Sequence, residues 1–183
     1  GTYAFNAHDP SNTDGTYILT ASYTDKGGEK VGPLTAQKMA VLRHPSMMAH
    51  SYDETDKASK FTLDAETSQG LVQEEIEIVI GMANSYIMFK DIDLTDVKAI
   101  QMGGIYSPEF LGGGKIVIRK GAKDGEVVEE ATVSKTPGFM QMVAPLKASM
   151  GKEDLYFAFE DADGEKPVAI LVNVVFLNKG MES

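Results

Sequence analysis

The sequence predicts an all-β fold, a jelly-roll β-sandwich with a short N-terminal β extension. Apolar residues recur with a period of two in most apolar segments, which is the period of a strand with one buried face. Glycine, proline and aspartate interrupt these segments about every 8–12 residues, a spacing that is typical of sandwiches and barrels. The 183 residues are sufficient for one domain with a substantial core.

A β-hairpin is predicted near the N terminus. Apolar residues there alternate with other residues before a Gly-Gly turn: Tyr17, Leu19, Ala21 and Tyr23. Residues 33–43 follow this turn and contain several good helix formers. The local sequence leaves strand and helix equally open for this segment, with Thr35 as the candidate helix cap.

Because a two-stranded hairpin rarely folds alone, we expect this segment to pack on a larger domain. We place the boundary near His44-Pro45 and predict an extension of residues 1–45 followed by a sandwich of residues 46–183. The chain begins with glycine rather than methionine. We therefore expect a fragment of a longer protein, with its targeting segment upstream.

The strands of the predicted sandwich follow in order along the chain. Several have one apolar face formed by alternate residues: Ile76, Ile78 and Ile80; Ile116 and Ile118; Leu155, Phe157 and Phe159. Residues 167–177 are apolar on both faces instead, which favours a central strand that is covered on both sides.

Asp-Gly turns are predicted at two places in the sandwich. Asp124-Gly125 lies between two alternating segments, which is a strong hairpin signal. Residues 161–166 contain another Asp-Gly pair, and Asp161 and Asp163 there also suggest a calcium loop. A hairpin turn explains both aspartates without a metal, so we predict a second hairpin there.

Three aspartates, Asp91, Asp93 and Asp96, follow one predicted strand. An EF-hand loop alternates oxygen ligands and requires glycine at its sharp turn, where this chain has Asp96. The match to a calcium loop is therefore poor. We predict that these aspartates are turn residues at a strand corner.

Composition excludes several classes of function. The net charge of −10 and the pI near 4.7 disfavour nucleic acid and anionic membranes as partners. Cysteine is absent, which excludes disulfides, thiol catalysis and cysteine-ligated zinc. No apolar segment approaches the roughly 20 residues of a membrane helix, so we expect no membrane insertion.

The sequence contains no recognisable catalytic motif. The histidines, His8, His44 and His50, are too widely spaced for the usual metal-ligand patterns. A G-x-S-x-G nucleophile motif is absent, and the glycine-rich residues 103–115 lack the ending of a phosphate-binding loop. We therefore predict a non-catalytic domain without a metal site. The many carboxylates leave a glycan-active enzyme fragment open as an alternative.

Several segments, in this order, resemble motifs of the family 6 carbohydrate-binding modules. They are MMAHSYDE (47–54), NSYIMFKDIDLTDVKAI (84–100), GGKIVIRKGAKDGEVVEEATV (113–133), TPGFMQMVAPL (136–146), GKEDLYFAFE (151–160) and AILVNVVFL (169–177). The resemblance covers residues 46–178 and implies a jelly-roll β-sandwich.

The resemblance also implies a sugar site between two aromatic rings, beside a buried asparagine. By position these residues are Ile80, Phe139 and Leu171, so Phe139 alone keeps an aromatic side chain. We name Phe139, with Tyr106 and Tyr52, as the candidate ligand-binding residues, because aromatic rings pack on the C–H surfaces of sugars.

A structural calcium ion is the one cofactor that the resemblance implies. The family has a glutamate and an aspartate where this chain has His50 and Asn173. Calcium prefers carboxylate and carbonyl oxygens, so these replacements weaken the site. We therefore expect no calcium at the family position and no other cofactor.

The segment before the sandwich resembles the stretch that precedes such modules in large exported bacterial proteins with sugar-dehydrogenase-like or cytochrome domains. It implies that residues 38–43 form a strand and that the protein is extracellular or periplasmic. We expect a non-catalytic carbohydrate-binding module with a degenerate or relocated sugar site. Its expected partners are a polysaccharide or oligosaccharide and other domains of the full-length protein. The alternative is a structural or protein-interaction β-sandwich that no longer binds sugar.

Overall fold

The computed structural model describes residues 16–28, 31–68, 70–148, 150–161 and 165–178. The chain divides into two compact units between His44 and Pro45. Within the described residues there is no α-helix, and therefore none that is long and apolar enough to cross a bilayer. The predicted all-β fold is confirmed.

The described chain consists of strands joined by turns and longer loops. They are β1 (Thr16–Thr24), β2 (Thr35–Arg43), β3 (Ser46–Met48), β4 (Glu54–Asp56), β5 (Ser59–Leu63), β6 (Ile76–Gly81), β7 (Ser85–Asp93), β8 (Val97–Tyr106), β9 (Lys115–Lys120), β10 (Glu126–Thr132), β11 (Gly138–Pro145), β12 (Lys152–Glu160) and β13 (Ala169–Asn178). A 3-10 turn at Ala49–Ser51 separates β3 from β4.

The first unit is an antiparallel hairpin of β1 and β2, in register from Thr16 opposite Arg43 to Thr24 opposite Thr35. The Thr24 and Thr35 hydroxyls lie 2.8 Å apart at the closing pair of the hairpin. Asp25 Oδ1 accepts hydrogen bonds from the backbone N–H groups of Gly27 and Leu34, each at 2.9 Å. Thr35 therefore begins a strand rather than capping a helix, and the structure resolves the open choice in favour of a strand.

The second unit contains two antiparallel sheets that face each other across the core. One has the strand order β10-β9-β12-β7-β4, and the other has β11-β8-β13-β6-β5 with β3 paired to β13. Consecutive strands often belong to different sheets, as β7 and β8 do. This exchange between layers is typical of a jelly-roll sandwich.

Large apolar side chains fill the space between the sheets. The phenylalanines Phe89 and Phe157 pack edge to face, with ring centroids 5.7 Å apart. Leu155, Phe157 and Phe159 are all fully buried, so the predicted apolar face of this strand is confirmed. The strand β13 lies between β8 on one side and β6 and β3 on the other, which confirms the predicted central position.

The two Asp-Gly predictions have different outcomes. Asp124-Gly125 lies between β9 and β10, which pair as an antiparallel hairpin as predicted. The predicted hairpin at residues 161–166 is wrong, because β12 and β13 belong to different sheets and this segment connects the layers. A turn motif in the sequence indicates that the chain reverses direction, but it does not indicate which sheet the next strand joins. Asp163 and its neighbouring glycine lie outside the described residues.

The corner between β7 and β8 uses the aspartates that the sequence assigned to turns. Asp93 Oδ1 accepts a hydrogen bond from the backbone N–H of Thr95 at 3.0 Å. The side-chain hydrogen bond from Thr95, followed by this backbone hydrogen bond, lowers the pKa of this carboxyl group. Asp91 and Asp96 have positive φ angles of 52° and 63°, a conformation that aspartate tolerates better than most residues. Asp93 and Asp96 shape a corner where the chain passes from one sheet to the other, whereas Asp91 lies inside β7 at a bulge rather than at the predicted corner.

Candidate functional site

The outer surface of the five-stranded sheet carries two tyrosines side by side. In β7, Ile87 and Phe89 point into the core, while Tyr86 and Met88 lie on the opposite face. Tyr156 of β12 is directly opposite Met88 in the strand pairing, so it shares this outer face with Tyr86. The two tyrosine rings are tilted by 59° with centroids 5.4 Å apart.

The strand register adds polar residues to the same surface. On one side, β4 places Glu54 opposite Met88 and Asp56 opposite Tyr86. On the other side, β9 places Arg119 opposite Tyr156. We call this surface the tyrosine face; its residues are Glu54, Asp56, Tyr86, Met88, Arg119 and Tyr156.

The tyrosine rings belong to a packed layer. Both tyrosines are half-buried, whereas Met88 on the same face is almost completely buried. Val117 of β9 and Tyr86 of β7 are both opposite Ala158 of β12, so they lie on the same face of the sheet. Val117 is also fully buried. The rings are therefore held in place by apolar neighbours while part of each ring contacts solvent.

Hydrogen bonds orient the polar groups around the rings. Tyr86 Oη donates to Glu54 Oε1 at 2.8 Å. Arg119 Nη2 donates to Glu160 Oε1 at 3.1 Å, and Arg119 Nη1 donates to the carbonyl oxygen of Gly125 at 3.3 Å. One carboxylate and one guanidinium group are thus fixed on opposite sides of the tyrosine pair, with hydrogen-bonding capacity remaining on each.

The surroundings keep both tyrosines protonated. The hydrogen bond to Glu54 raises the pKa of Tyr86 to about 12, and burial and the charges of Glu54 and Asp56 act in the same direction. Burial, followed by the charges of Glu54 and Asp154, raises the pKa of Tyr156. At neutral pH both rings are uncharged and both hydroxyl groups are hydrogen-bond donors.

The arrangement combines apolar ring surface with donors and acceptors. Partly exposed tyrosine rings offer a surface for flat C–H patches. The free oxygen of Glu54 and the remaining N–H groups of Arg119 can accept from and donate to hydroxyl groups. Such a surface suits a ligand with one apolar face and a polar rim.

Phe139, the aromatic residue that the sequence placed in a sugar site, lies on the other sheet. It is 64% exposed near the start of the edge strand β11. In the strand pairing, Phe139 is opposite Ile105, Ile105 is opposite Ile170, and Ile170 is opposite Ile80. The two ring positions implied by the resemblance, Phe139 and Ile80, therefore lie on one line across the sheet. They are separated by three strand spacings, about 14 Å. The role of Phe139 in ligand binding stays a prediction.

The other two candidate residues have different surroundings. Tyr106 is only 5% exposed and belongs to the hydrophobic core. Tyr52 is half-buried, and Lys60 Nζ lies over its ring at 4.7 Å from the centroid. The three candidates Phe139, Tyr106 and Tyr52 therefore do not form one exposed aromatic surface, because the ring of Tyr106 packs inside the sandwich.

The calcium position implied by the resemblance is occupied by contacts among protein groups. His50 Nδ1 lies 3.3 Å from the carbonyl oxygen of Glu77, and His50 Nε2 lies 3.3 Å from Glu77 Oε2. Asn173 Oδ1 accepts a hydrogen bond from the backbone N–H of Gly103 at 3.1 Å. An imidazole and an engaged amide are a poor match for calcium. No group of three or more histidine, cysteine or carboxylate side chains suited to a metal occurs in the part of the chain that the structure describes. The expected absence of a calcium site stays a prediction.

Sequence reasoning missed the tyrosine face, although part of its signal was present. The assignment of Leu155, Phe157 and Phe159 to one face of a strand leaves Tyr156 on the other face. The same alternation separates Tyr86 from Ile87. The pairing of these strands with one another and with β4 is a long-range property that alternation alone does not contain.

Comparisons with known proteins identify the fold. No family model and no curated protein matches this sequence. A family 6 carbohydrate-binding module from Clostridium cellulolyticum, solved in complex with xylose, has a TM-score of 0.60 and 21% identity, over 73% of this chain and 96% of that module. A β-1,3-glucan-binding family 6 module from Bacillus halodurans has a TM-score of 0.59 and 18% identity, over 72% of this chain and 93% of that module.

A third similar structure is an enzyme. The family 43 arabinoxylan arabinofuranohydrolase from Bacillus subtilis has a TM-score of 0.59 and 14% identity, over 84% of this chain and 32% of the enzyme. At these identities the comparisons establish the architecture rather than the ligand. The second unit of this chain has the β-sandwich fold of the family 6 carbohydrate-binding modules.

Proposed function

We propose that this chain is a non-catalytic carbohydrate-binding module that binds an oligosaccharide or polysaccharide on the tyrosine face. The observation that carries this proposal is the pair of half-exposed, uncharged tyrosine rings 5.4 Å apart, with Glu54 hydrogen-bonded beside them. The fold adds support, because the similar modules of known ligand bind xylose and β-1,3-glucan.

Each group on this face has a distinct role in the proposal. A pyranose ring lies with its C–H surface on Tyr86 and Tyr156, which excludes water from both apolar surfaces. Glu54 accepts hydrogen bonds from sugar hydroxyl groups, and Arg119 donates to sugar oxygens. Because the surface is open and the polar groups are few, we expect a dissociation constant in the range of roughly 1 mM, near −4 kcal/mol.

The proposal assigns no catalytic step to the chain. The two similar modules are binding domains, and in the Bacillus subtilis enzyme the similar part is 32% of the chain. A glycosidase needs two carboxyl groups placed on either side of a glycosidic bond. The tyrosine face instead lies on the outer surface of a sheet, where a bound sugar contacts one side only. We further propose that the module is exported and attached to other domains of a longer protein.

Binding can be tested by isothermal titration calorimetry with xylan, β-glucan and agarose oligosaccharides. We expect Tyr156→Ala to abolish detectable binding and Glu54→Gln to weaken it, because glutamine keeps one acceptor oxygen. Tyr23→Ala removes a 72% exposed tyrosine from the N-terminal hairpin and should leave binding unchanged. Circular dichroism before each titration verifies that the variants are folded.

A second variant distinguishes the two locations for the ligand. If Phe139→Ala abolishes binding while Tyr156→Ala does not, the site lies on the six-stranded sheet and the proposed location is wrong. If the wild-type protein binds no glycan at millimolar concentrations, neither these nor glycans with free amino groups, the function is that of a structural or protein-interaction domain. Release of reducing sugars by the purified chain would instead establish the glycan-active enzyme.

A further inference from the structure

The charges on the tyrosine face are distributed unevenly. Glu54 and Asp56 are both exposed on β4, the edge strand of the five-stranded sheet. Asp56 is directly opposite Tyr86 in the pairing, and Glu54 contacts the hydroxyl group of that tyrosine. Asp154 precedes Tyr156 on β12 and is half-buried. Carboxylates therefore flank the tyrosine pair on the β4 side and at the end of β12.

The basic residues of this sheet surface are largely neutralised by their own neighbours. Arg119 is paired with Glu160 at 3.1 Å. Lys115 lies 3.3 Å from both Glu130 and Asp161. These ion pairs lie on the β9 side. On the β4 side, the exposed Lys57 follows Asp56 and forms a parallel bridge with Tyr86, so one positive charge lies beside the two carboxylates of Glu54 and Asp56. Lys90, which is exposed at the end of this face, adds one positive charge next to Asp91 in the chain.

The pKa values of both tyrosines are affected by these nearby carboxylates. The hydrogen bond to Glu54 is the largest cause of the raised pKa of Tyr86, and the charges of Glu54 and Asp56 add to it. Burial is the largest cause of the raised pKa of Tyr156, and the charges of Glu54 and Asp154 add to it. The negative charges among these causes attract a bound cation, whereas burial alone disfavours any charge.

We propose that the tyrosine face selects glycans that carry free, protonated amino groups, of the glucosamine type, over neutral and anionic glycans. This inference rests on the proposed carbohydrate-binding function. An ammonium group on the sugar forms ion pairs with Glu54 and Asp56 and a cation–π contact with a tyrosine ring. The chain already places an ammonium group over a tyrosine ring elsewhere, because Lys60 Nζ lies 4.7 Å from the ring centroid of Tyr52. Anionic glycans are repelled by the same carboxylates and by the net charge of −10.

The test compares three β-1,4-linked tetrasaccharides that differ only in the substituent at carbon 2. They are cellotetraose with a hydroxyl group, the glucosamine tetramer with a free amine, and its N-acetylated form. Titration calorimetry is performed at low ionic strength and at about pH 5.5, where the amine is largely protonated. Two exposed ion pairs and one cation–π contact correspond to a preference of about tenfold for the free amine over cellotetraose. The preference should decrease in about 0.5 M salt, because salt screens exposed charges.

Matched variants separate the local effect from the overall charge. Glu54→Gln with Asp56→Asn should remove the amine preference. Glu66→Gln with Glu109→Gln neutralises two exposed carboxylates outside the tyrosine face and should retain it. Equal affinity for all three sugars would overturn this inference and leave the proposed function intact. An amine preference that survives in the Glu54 and Asp56 double variant would also overturn it. Absence of binding to every sugar would overturn the proposed function itself.

Discussion

Replacing Phe139 by alanine tests the placement of the most exposed phenylalanine in the sandwich. Its side chain is 64% exposed, so about a third of the ring is removed from water on folding. For an aromatic side chain of about 200 Å², this corresponds to roughly 70 Å² of buried apolar area. At about 25 cal/mol per Å², the loss in the free energy of unfolding is about 1.8 kcal/mol, and this value is an upper bound.

Phe157 is the matched control for this substitution. It is the same residue type on a strand, with no exposed surface, and it packs edge to face on Phe89. Truncating a fully buried phenylalanine to alanine costs about 3–5 kcal/mol. We therefore expect Phe157→Ala to destabilise the sandwich by at least about 1 kcal/mol more than Phe139→Ala.

The two variants can be compared by chemical denaturation. The chain contains no tryptophan, so far-UV circular dichroism is a more suitable probe than tryptophan fluorescence. Near the melting temperature, about 1 kcal/mol corresponds to a shift of roughly 2–4 °C for a chain of this size. Equal destabilisation by the two substitutions would refute the reasoning, because it would require the Phe139 ring to be buried.

Three further outcomes follow from the same structure. Thermal unfolding with calcium and with chelator should coincide, since a bound ion at about 100 times its dissociation constant would add about 2.7 kcal/mol; a clear rise with calcium would contradict the expected absence of a site at His50 and Asn173. Absorbance titration at high pH should show Tyr86 ionising near pH 12, and Glu54→Gln should move this transition towards 10, the ordinary value. Because the folded-state pKa is raised, the Tyr86 contribution to stability is complete below about pH 10 and is lost as the pH rises through about 12. Gly81→Ala should cost about 1–3 kcal/mol, because a Cβ atom at Gly81 would overlap the ring of Phe159; an unchanged denaturation midpoint would show that the ring can move aside.

The features of the fold that depend only on residues close together in the sequence could be predicted from the sequence alone. Alternation identified the buried faces of the strands that contain Ile116 and Phe157, and the pair Asp124-Gly125 identified a hairpin. The assignment of strands to sheets could not be predicted in this way. Residues 161–166 have a hairpin signal, yet they connect the two layers, because the apolar β13 occupies the centre of the opposite sheet.

The tyrosine face depends on contacts between residues that are distant in sequence. Glu54 and Tyr86 are 32 residues apart and meet because β4 pairs with β7. Arg119 lies opposite Tyr156 because β9 pairs with β12. Each of these residues is unremarkable in its own segment, as a charged or aromatic residue at an outward position of a strand. The site therefore emerges from strand register, which single-sequence alternation does not determine.

A bulge in β7 shows how the chain accommodates both the tyrosine face and the strand corner. Ser85, Ile87 and Phe89 are buried before the bulge, whereas Ile92 and Leu94 are buried after it. Up to Phe89 the odd-numbered residues of β7 point into the core, and from Ile92 onward the even-numbered residues do. The change takes place at Lys90 and Asp91, where the pairing with β12 shifts. Asp91 adopts its positive φ there, and its backbone N–H donates to Asp154 Oδ1 at 2.9 Å. Without the extra residue, continuing the alternation back from Ile92 and Leu94 would direct Tyr86 and Met88 into the core and Ile87 and Phe89 to solvent. Asp91 is therefore a bulge residue, not a turn residue, and its conformation keeps the tyrosine ring on the surface while the rest of the segment enters the corner.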